Sequence, residues 1–495
     1  MSLLYEQARE RPEHPAISYR GERIVFAELV EWIERLASGL RQRGLGPGDA
    51  VGLVLPDDPW FVVTLHALTG LGAIVVPVNP AFKQAELEYC FRSAGVSAVI
   101  SDERSAGVCG RIVSGMEGEV QLITTSSAHG QADTLDAVLE EGKGGRLEAR
   151  APEEPFVYQF SSGSTGRPKR VPRTHAQCAA EAASYKALGL VPEDRIFSAI
   201  PMFHTWGMGA CVFASAASGA TVVILEDPQP FLRRRHAALE LIERERATVF
   251  PGVPFNFRLL AEAPTRADLS SLRLCFSAGT ALPRSTFEAF GERFGVLVRQ
   301  LYGSTETGMI AANLSEDPVA TFASVGRPVW GVEIEVVDED GETLPPGEVG
   351  ELAVRSPAAS DGYDGADQKS REAFRDGRFF TGDLGHLGDD GLLYLEGHRK
   401  LLIDVGGFKV DPIEVQDVIR AHPCVSDVIV VGVRDEDAGE ETVKAVVVPS
   451  QQCDEHELLS LCREQLANFK VPRLVEFRDS IPTSPLGKVL RKDLV

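Results

Sequence analysis

The chain has 495 residues, too many for one ordinary hydrophobic core, so two or more domains are expected. Its 44% hydrophobic and 25% charged content is that of a globular protein. The net charge of −22, from 50 basic and 72 acidic residues, argues against non-specific binding to nucleic acid or anionic membranes.

The eight cysteines are scattered, with no C-x-x-C pair and no histidine at metal spacing. They read as reduced, mostly buried thiols in a reducing compartment. Acids and an early proline at the N-terminus leave no secretory h-region. The most apolar window, residues 61–78, holds His66 and two glycines, so it reads as helix then strand and no membrane span is expected. A cytoplasmic location follows from these signs.

Leu3–Arg9 reads as a short helix and Arg23–Phe26 as a strand. Leu29, Ile33, Leu36 and Leu40 give Phe26–Arg43 helical spacing, stopped by Gly44 and Gly46. Val51–Leu55 reads as a buried strand, Trp60–Leu71 as a helix, Ala73–Val78 as a strand, Gln84–Ala94 as a helix and Ala98–Ser101 as a strand. Such alternation predicts an α/β fold of doubly wound sheets. Residues 107–150 are weakly periodic and read as peripheral. Ala176–Leu188 is a predicted helix, and Arg195–Ile200, Thr221–Leu225, Thr248–Phe250 and Arg273–Ser277 are predicted strands. From Val332 the D-G and P-P-G turns predict a β-rich subdomain, about 326–396. The segments Ile413–Ala421, Val425–Val433, Thr442–Val448, Glu455–Leu466 and Arg473–Phe477 read as a small α+β domain. The boundary is placed at Lys400, giving domains of 1–399 and 400–495.

An apolar strand ending near Phe160 runs into Ser161, Ser162, Gly163, Ser164, Thr165 and Gly166, followed by Arg167, Pro168, Lys169 and Arg170. Glycines let consecutive N–H groups converge on an anion, while hydroxyls and cations add donors and charge. This is phosphate-holding chemistry without a Walker A pattern. Pro201–Gly207 contains His204 and Trp206 at a strand end, opening a small-residue helix from Gly209 to Gly219; pocket wall and structural histidine are equal readings. Ala278 and Gly279 belong to a small-residue turn against which a flat ligand could lie. Tyr302, Gly303, Ser304, Thr305 and Glu306 form a strand-end motif whose carboxylate suits Mg²⁺. The same spacing also fits a helix N-terminal box. Asp383 follows a glycine turn and could take ribose hydroxyls, although an Asx-turn explains it too. Lys488 sits on a loop near the C-terminus.

In this order, these stretches resemble the adenylate-forming superfamily of acyl-CoA synthetases, adenylation domains and luciferases, over essentially the whole chain. SSGSTGRPK resembles its phosphate loop, YGSTE its aromatic-Gly-x-Thr-Glu motif and TGD its ribose motif. GHRKLLIDVGGFKVDPIEV is similar to its hinge-and-crossover segment, and PTSPLGKVLRKDL to its catalytic-lysine tail. The resemblance implies that a small-molecule carboxylic acid attacks the α-phosphate of ATP, giving an acyl-adenylate that then passes to a thiol such as CoA. It implies that Ser161–Lys169 hold the β- and γ-phosphates, Thr165 and Glu306 position Mg²⁺, and Tyr302 faces adenine. Gly279, Gly303 and Thr305 join that nucleotide site; Asp383 and His398 serve the ribose. Lys488 bridges the α-phosphate and the carboxylate. The small domain would turn about Lys400 and bring Gly406 and Gly407 to a thiol tunnel.

Where the family has arginine this chain has His398, a departure that raises a non-catalytic nucleotide-binding relative as an alternative. Arg170, where many members have glycine, could add phosphate-side charge. His204 stands where amino-acid-activating members carry aspartate, which points to an acid without an amine. Leu301 would close the floor of the acid pocket, with Trp206, Phe255, Ala278 and Gly303 around it, favouring a small aromatic or short- to medium-chain acid. A carrier-protein pantetheine is the alternative acceptor. The oligomeric state stays open, a homodimer included.

Overall fold

Two mainly parallel sheets, each built by strand–helix alternation, form the large part of the computed structural model. It describes residues 1–126, 133–161, 169–225, 231–364, 372–398, 403–405, 408–410, 412–434, 441–466, 468–483 and 489–494. The chain divides into two compact units. One comprises Met1–Ile334, Ala353–Phe380 and Asp390–Leu393, the other Glu335–Leu352, Thr381–Asp389 and Tyr394–Val495.

Helix α1 (Ser2–Glu10) precedes the antiparallel pair β1 (Pro15–Tyr19) and β2 (Glu22–Val25). Strand β1 was not legible in the sequence, being five residues long with a proline at its head. Then follow α2 (Phe26–Gln42), β3 (Ala50–Val54), α3 (Pro59–Leu71), β4 (Ile74–Pro77), α4 (Gln84–Ala94) and β5 (Ala98–Ser101). The stretch expected to be peripheral instead supplies α5 (Glu103–Ser114), β6 (Gln121–Thr124), β7 (Asp133–Thr134) and α6 (Leu135–Glu141). Its weak periodicity hid real burial: Cys109, Leu135 and Val138 are fully buried, and a Cβ on Gly39 of α2 would lie 2.1 Å from the Val138 carbonyl. Strands β8 (Pro155–Ser161) and β9 (Lys169–Thr174) complete a seven-stranded sheet of order β7-β6-β5-β3-β4-β8-β9, parallel except for the β8–β9 pair.

The second sheet of this unit begins after α7 (His175–Ala187). It uses β10 (Arg195–Ser198), β11 (Thr221–Ile224), β12 (Val249–Gly252), β13 (Leu274–Ser277), β14 (Val298–Ser304), β15 (Gly308–Ala312) and β16 (Ser324–Pro328). Their order is β16-β15-β14-β13-β12-β10-β11-β1-β2, with a parallel block from β14 to β1. The connecting helices are α8 (Thr205–Gly207), α9 (Ala214–Ser218), α10 (Phe231–Glu245), α11 (Pro254–Glu262) and α12 (Arg284–Phe294). Phe197, Phe250, Phe257 and Phe290 are fully buried beneath the sheet, with successive ring centroids 5.3, 4.7 and 5.2 Å apart. Such offset and edge-to-face contacts add to what area burial alone supplies.

The turn-rich stretch holds β17 (Glu333–Val337), β18 (Gly350–Arg355), β19 (Phe374–Arg375), β20 (Arg378–Leu387) and β21 (Leu393–His398). Its expected turns are present, with Gly341 and Gly347 at φ +87° and +86°. Beyond them lie the hairpin β22 (Ile403–Val405) and β23 (Phe408–Val410), then α13 (Pro412–Arg420), β24 (Val425–Arg434), β25 (Glu441–Pro449), α14 (Glu455–Gln465) and β26 (Leu474–Phe477). Strand β25 pairs antiparallel with β24 and parallel with β26. Val415, Val428, Val430, Val443, Val447, Leu458 and Cys462 form this core. The reading of eight separate thiols is corrected here, because Cys424 and Cys453 are disulfide-bonded with Cα atoms 5.4 Å apart. Nor is histidine absent: His422 Nδ1 lies 3.0 Å from Cys424 Sγ. Cysteines 29 residues apart give no local spacing signal; the β24–β25 pairing brings them together. Among the described residues no helix is long and apolar enough to cross a membrane.

Candidate active site

The carboxyl edge of the parallel block β10, β12, β13 and β14 gathers His204, Trp206, Phe255, Ala278, Gly279 and the YGSTE motif. In open α/β sheets this edge is where strands hand over to loops and ligands sit. After β10 the Pro201–His204 loop enters α8, and His204 caps it: Trp206 N–H donates to Nδ1 at 3.2 Å. An accepting Nδ1 carries no hydrogen, so the ring proton resides on Nε2. The expected helix from Gly209 in fact starts at Thr205, and Met208–Phe213 form a π-helical segment before α9. Such wide turns are frequent at functional sites. Gly207 is required there, since a Cβ would lie 2.2 Å from the Pro201 carbonyl oxygen.

One carbonyl ties three strand ends together. Gly252 O, closing β12, accepts the Trp206 indole N–H at 3.3 Å and the Ala278 N–H at 3.1 Å. Trp206 also stacks on the buried Tyr185 ring, with centroids 6.4 Å apart. Ala278 is buried and Gly279 follows at φ +86°, a conformation suited to glycine. Phe255, on the first turn of α11, is 37% exposed, with the Arg258 guanidinium 5.5 Å from its ring centroid.

The YGSTE motif is a β-hairpin, so the helix N-terminal box is excluded. Strand β14 pairs with β15 through Leu301↔Ala312, Tyr302↔Ala311, Gly303↔Met309 and Ser304↔Gly308. Leu301 and Tyr302 are buried, at 5% and 8% exposure. Thr305, Glu306 and Thr307 make the turn, where the Ser304 and Thr307 hydroxyls lie 2.9 Å apart. Gly303 is forced by the tight hairpin, with a Cβ there only 2.4 Å from Gly308 O.

Residues missed in the sequence hold this turn against the ends of β8 and β9. Ser161 and Lys169 are register partners at the ends of β8 and β9, and Ser162–Pro168, including Gly163, Ser164, Thr165 and Gly166, lie outside the described residues. Tyr363 donates its hydroxyl to Glu306 Oε1 at 2.8 Å, while Lys169 Nζ lies 4.8 Å from the centre of the same ring. Burial, with the Glu306 carboxylate adding to it, pushes the Tyr363 phenol well above its ordinary value, so it stays a donor. Ser360 N–H donates to Glu306 O at 2.7 Å, and the Ser360 hydroxyl to Pro172 O at 2.7 Å. Arg170 is paired with Asp364 at 2.6 Å and lies 4.8 Å from the Tyr158 ring centroid. Nothing in the sequence around Gly362-Tyr363 marks this staple, because its partners are 54 to 194 residues distant.

A buried ion pair lies below. Arg173 and Glu181, 1% and 2% exposed, are 2.6 Å apart. Cβ atoms on Gly209 of the π segment and Gly308 of the hairpin would lie 2.4 and 2.7 Å from the Glu181 carboxyl group. On the other side, Asp57 Oδ1 accepts the Met202 N–H at 2.7 Å and so fixes the loop carrying His204. In the second unit, Asp383 follows Gly382 (φ +77°), and its N–H donates to the Thr381 hydroxyl at 3.0 Å. The His398 side chain, Lys400, Gly406, Gly407 and Lys488 lie outside the described residues.

Residues 4–364 match the family described as AMP-binding enzyme, and residues 414–488 match the AMP-binding enzyme C-terminal domain. The chain belongs to the AMP-binding enzymes. It is of the adenylate-forming superfamily and of acyl-CoA synthetase type. It is 32% identical to a feruloyl-CoA synthase of Amycolatopsis sp. over 494 residues, covering 99% of this chain and 96% of that one. It is 34% identical to a pyochelin synthase of Pseudomonas aeruginosa over 506 residues, covering 99% and 91%. An anthranilate CoA ligase in complex with anthranoyl-AMP superposes with a TM-score of 0.89 at 27% identity, over 100% of this chain and 96% of that one. As a member of this type, the enzyme activates a carboxylic acid with ATP through an acyl-adenylate and forms a thioester with CoA.

Proposed function

We propose that the acid is a small aromatic or short- to medium-chain one, seated at the carboxyl edge of β10, β12, β13 and β14. The observation that carries this is Leu301, buried at 5% exposure in β14, with the Trp206 indole fastened across the same edge to Gly252. An isobutyl group at the end of a pocket shortens it, and a fixed indole narrows it. His204, with its proton on Nε2, offers a donor rather than the carboxylate an amine would need. Relatives named for ferulate, indoleacetate and anthranilate support an aromatic acid.

Lys169 and the Ser161–Gly166 loop hold the β- and γ-phosphates, Tyr302 lies against adenine with Gly279, Gly303 and Thr305 beside it, and Asp383 with His398 takes the ribose. Glu306 fits a Mg²⁺ ligand as an oxygen donor already oriented by Tyr363, and with Thr165 it would hold the ion, which supplies charge neutralisation at the phosphates. Lys488 bridges the attacking carboxylate and the α-phosphate, where negative charge develops as the bond forms. Acid and phosphate are thereby brought to in-line distance, and little covalent work is asked of the protein. A turn about Lys400, the boundary of 1–399 and 400–495, then exchanges Lys488 for Gly406 and Gly407 and admits the thiol. The enzyme works in the cytoplasm.

Delivery to a carrier-protein pantetheine is the second reading, favoured by the relative named a pyochelin synthase. The test is acid-dependent pyrophosphate release across benzoates, cinnamates and fatty acids of rising length, with and without CoA. Turnover peaking on small aryl or short acids and requiring CoA supports the proposal. Adenylate formation indifferent to CoA moves the acceptor to a carrier, and activity that keeps rising into long-chain acids rejects the closed floor.

A further inference from the structure

Seven of the eight cysteines are buried, and Cys453 is partly exposed. Desolvation pushes Cys90, Cys109, Cys178 and Cys211 up to about 12, Cys462 up to about 11 and Cys275 higher. Thiols held there are protonated at neutral pH, and the thiolate is the nucleophile, so these six are slow partners in exchange. Cys424 and Cys453 are placed differently. Cys424 lies at the corner between α13 and β24, and Cys453 stands just before Asp454, the N-cap of α14.

Hydrogen bonds from Ser450 hold this corner independently of sulfur. Ser450 N–H donates to Cys424 O at 2.8 Å, and the Ser450 hydroxyl to Pro423 O at 3.3 Å. The Cα separation of 5.4 Å suits a disulfide without backbone movement, so the two sulfurs stay in reach of each other in either state. His422 Nδ1 is 3.0 Å from Cys424 Sγ, and its Nε2 is 4.0 Å from Glu457 Oε2. Cys424 is buried at 3% exposure, while Cys453 and His422 are partly exposed. A partly exposed cysteine, its buried partner and a histidine ring nitrogen therefore lie within 4.8 Å of one another.

We propose that Cys424 and Cys453 are a reversible dithiol–disulfide couple, closed and opened by small-molecule disulfides and thiols of the glutathione class, with His422 accepting the Cys424 proton. In closing, the Cys453 thiolate attacks the small disulfide; its S–S bond breaks, a mixed disulfide forms and one small thiolate leaves. The His422 imidazole takes the Cys424 proton, and the Cys424 sulfur attacks that of Cys453. The protein disulfide forms and the second small thiolate is expelled. Two protein thiols are oxidised by two electrons, and one small disulfide is reduced to two thiols. Opening is the reverse. Because the bond closes a 29-residue span containing β24 and β25, it makes local opening of that pair rarer by roughly a hundredfold.

The test uses the full-length wild-type chain in glutathione buffers of graded composition, quenched with acid, alkylated and mapped by mass spectrometry. A Cys424–Cys453 cross-linked peptide that grows with the oxidised fraction and disappears on return to reduced glutathione is the expected result. Amides of β24 and β25 should exchange up to roughly a hundredfold more slowly in the oxidised protein. His422→Ala should slow closure about tenfold without moving the end point, which distinguishes proton transfer from a packing role. Absence of the cross-link at every ratio overturns the proposal, as does a cross-link that native-state glutathione never opens. One Zn²⁺ bound tightly per reduced chain and lost in Cys424→Ser would also overturn it, making these three residues a metal centre.

Discussion

Tyr363→Phe separates one hydroxyl from everything else its ring does. The phenol donates to Glu306 Oε1 at 2.8 Å, on a carboxylate that is only 8% exposed. The ring itself sits against Lys169 Nζ (4.8 Å) and edge-on to Phe374 (5.3 Å, 82°), and phenylalanine keeps both contacts. A hydrogen bond to a charged group contributes about 1.5–3 kcal/mol. If Glu306 holds Mg²⁺ through its other oxygen, that amount is what fixes the carboxylate's orientation. Losing it should raise the Mg²⁺ concentration for half-maximal pyrophosphate release by roughly tenfold to a hundredfold. The assay is acid-dependent pyrophosphate release against free Mg²⁺ at saturating ATP and acid, with thermal unfolding in parallel. An unchanged Mg²⁺ midpoint with correctly folded protein would show that Tyr363 does not orient Glu306 for the ion, whatever happens to kcat.

Other outcomes follow from single residues. Glu181→Gln leaves Arg173 charged at 1% exposure and should cost about 3–5 kcal/mol in urea unfolding, against less than about 1 kcal/mol if the pair is hydrated. Leu301→Gly should open the pocket floor and shift the preferred acid toward longer chains; an unchanged chain-length profile contradicts the pocket reading. Burial pushes the Asp57 carboxyl up to about 6 and Asp58, with Asp57 as a like charge beside it, up to about 7. Both native values lie above the unfolded one, so the native state binds more protons between roughly pH 4 and 7 and stability falls as pH rises through that window. Asp57→Asn, which keeps an acceptor for Met202 N–H, should flatten that fall and add about 1–2 kcal/mol at pH 8; an unaltered slope counts against it. His398→Arg restores the cation of the family motif and should tighten ATP binding at pH 8, measured by calorimetry; unchanged or weaker binding removes the idea.

Features that repeat locally were legible in the sequence. Hydrophobic spacing placed α4 and β5 to the residue and α2, α3 and α7 to within one residue at each end, because helix and strand periods are written along the chain. The short motif YGSTE was likewise legible, and the structure shows it at the turn of a hairpin. Strand β1 and the 107–150 region escaped, since a five-residue strand and a short helix such as α6 acquire their burial from neighbours rather than from their own pattern. The tertiary structure alone decided that Gly252 receives Trp206 and Ala278, that Tyr363 joins Glu306 to Lys169, and that Glu181 sits under two glycines. It also joined Cys424 to Cys453. These contacts link residues brought together by sheet order and crossover direction, and a pairing between distant strands leaves no periodic trace in either one.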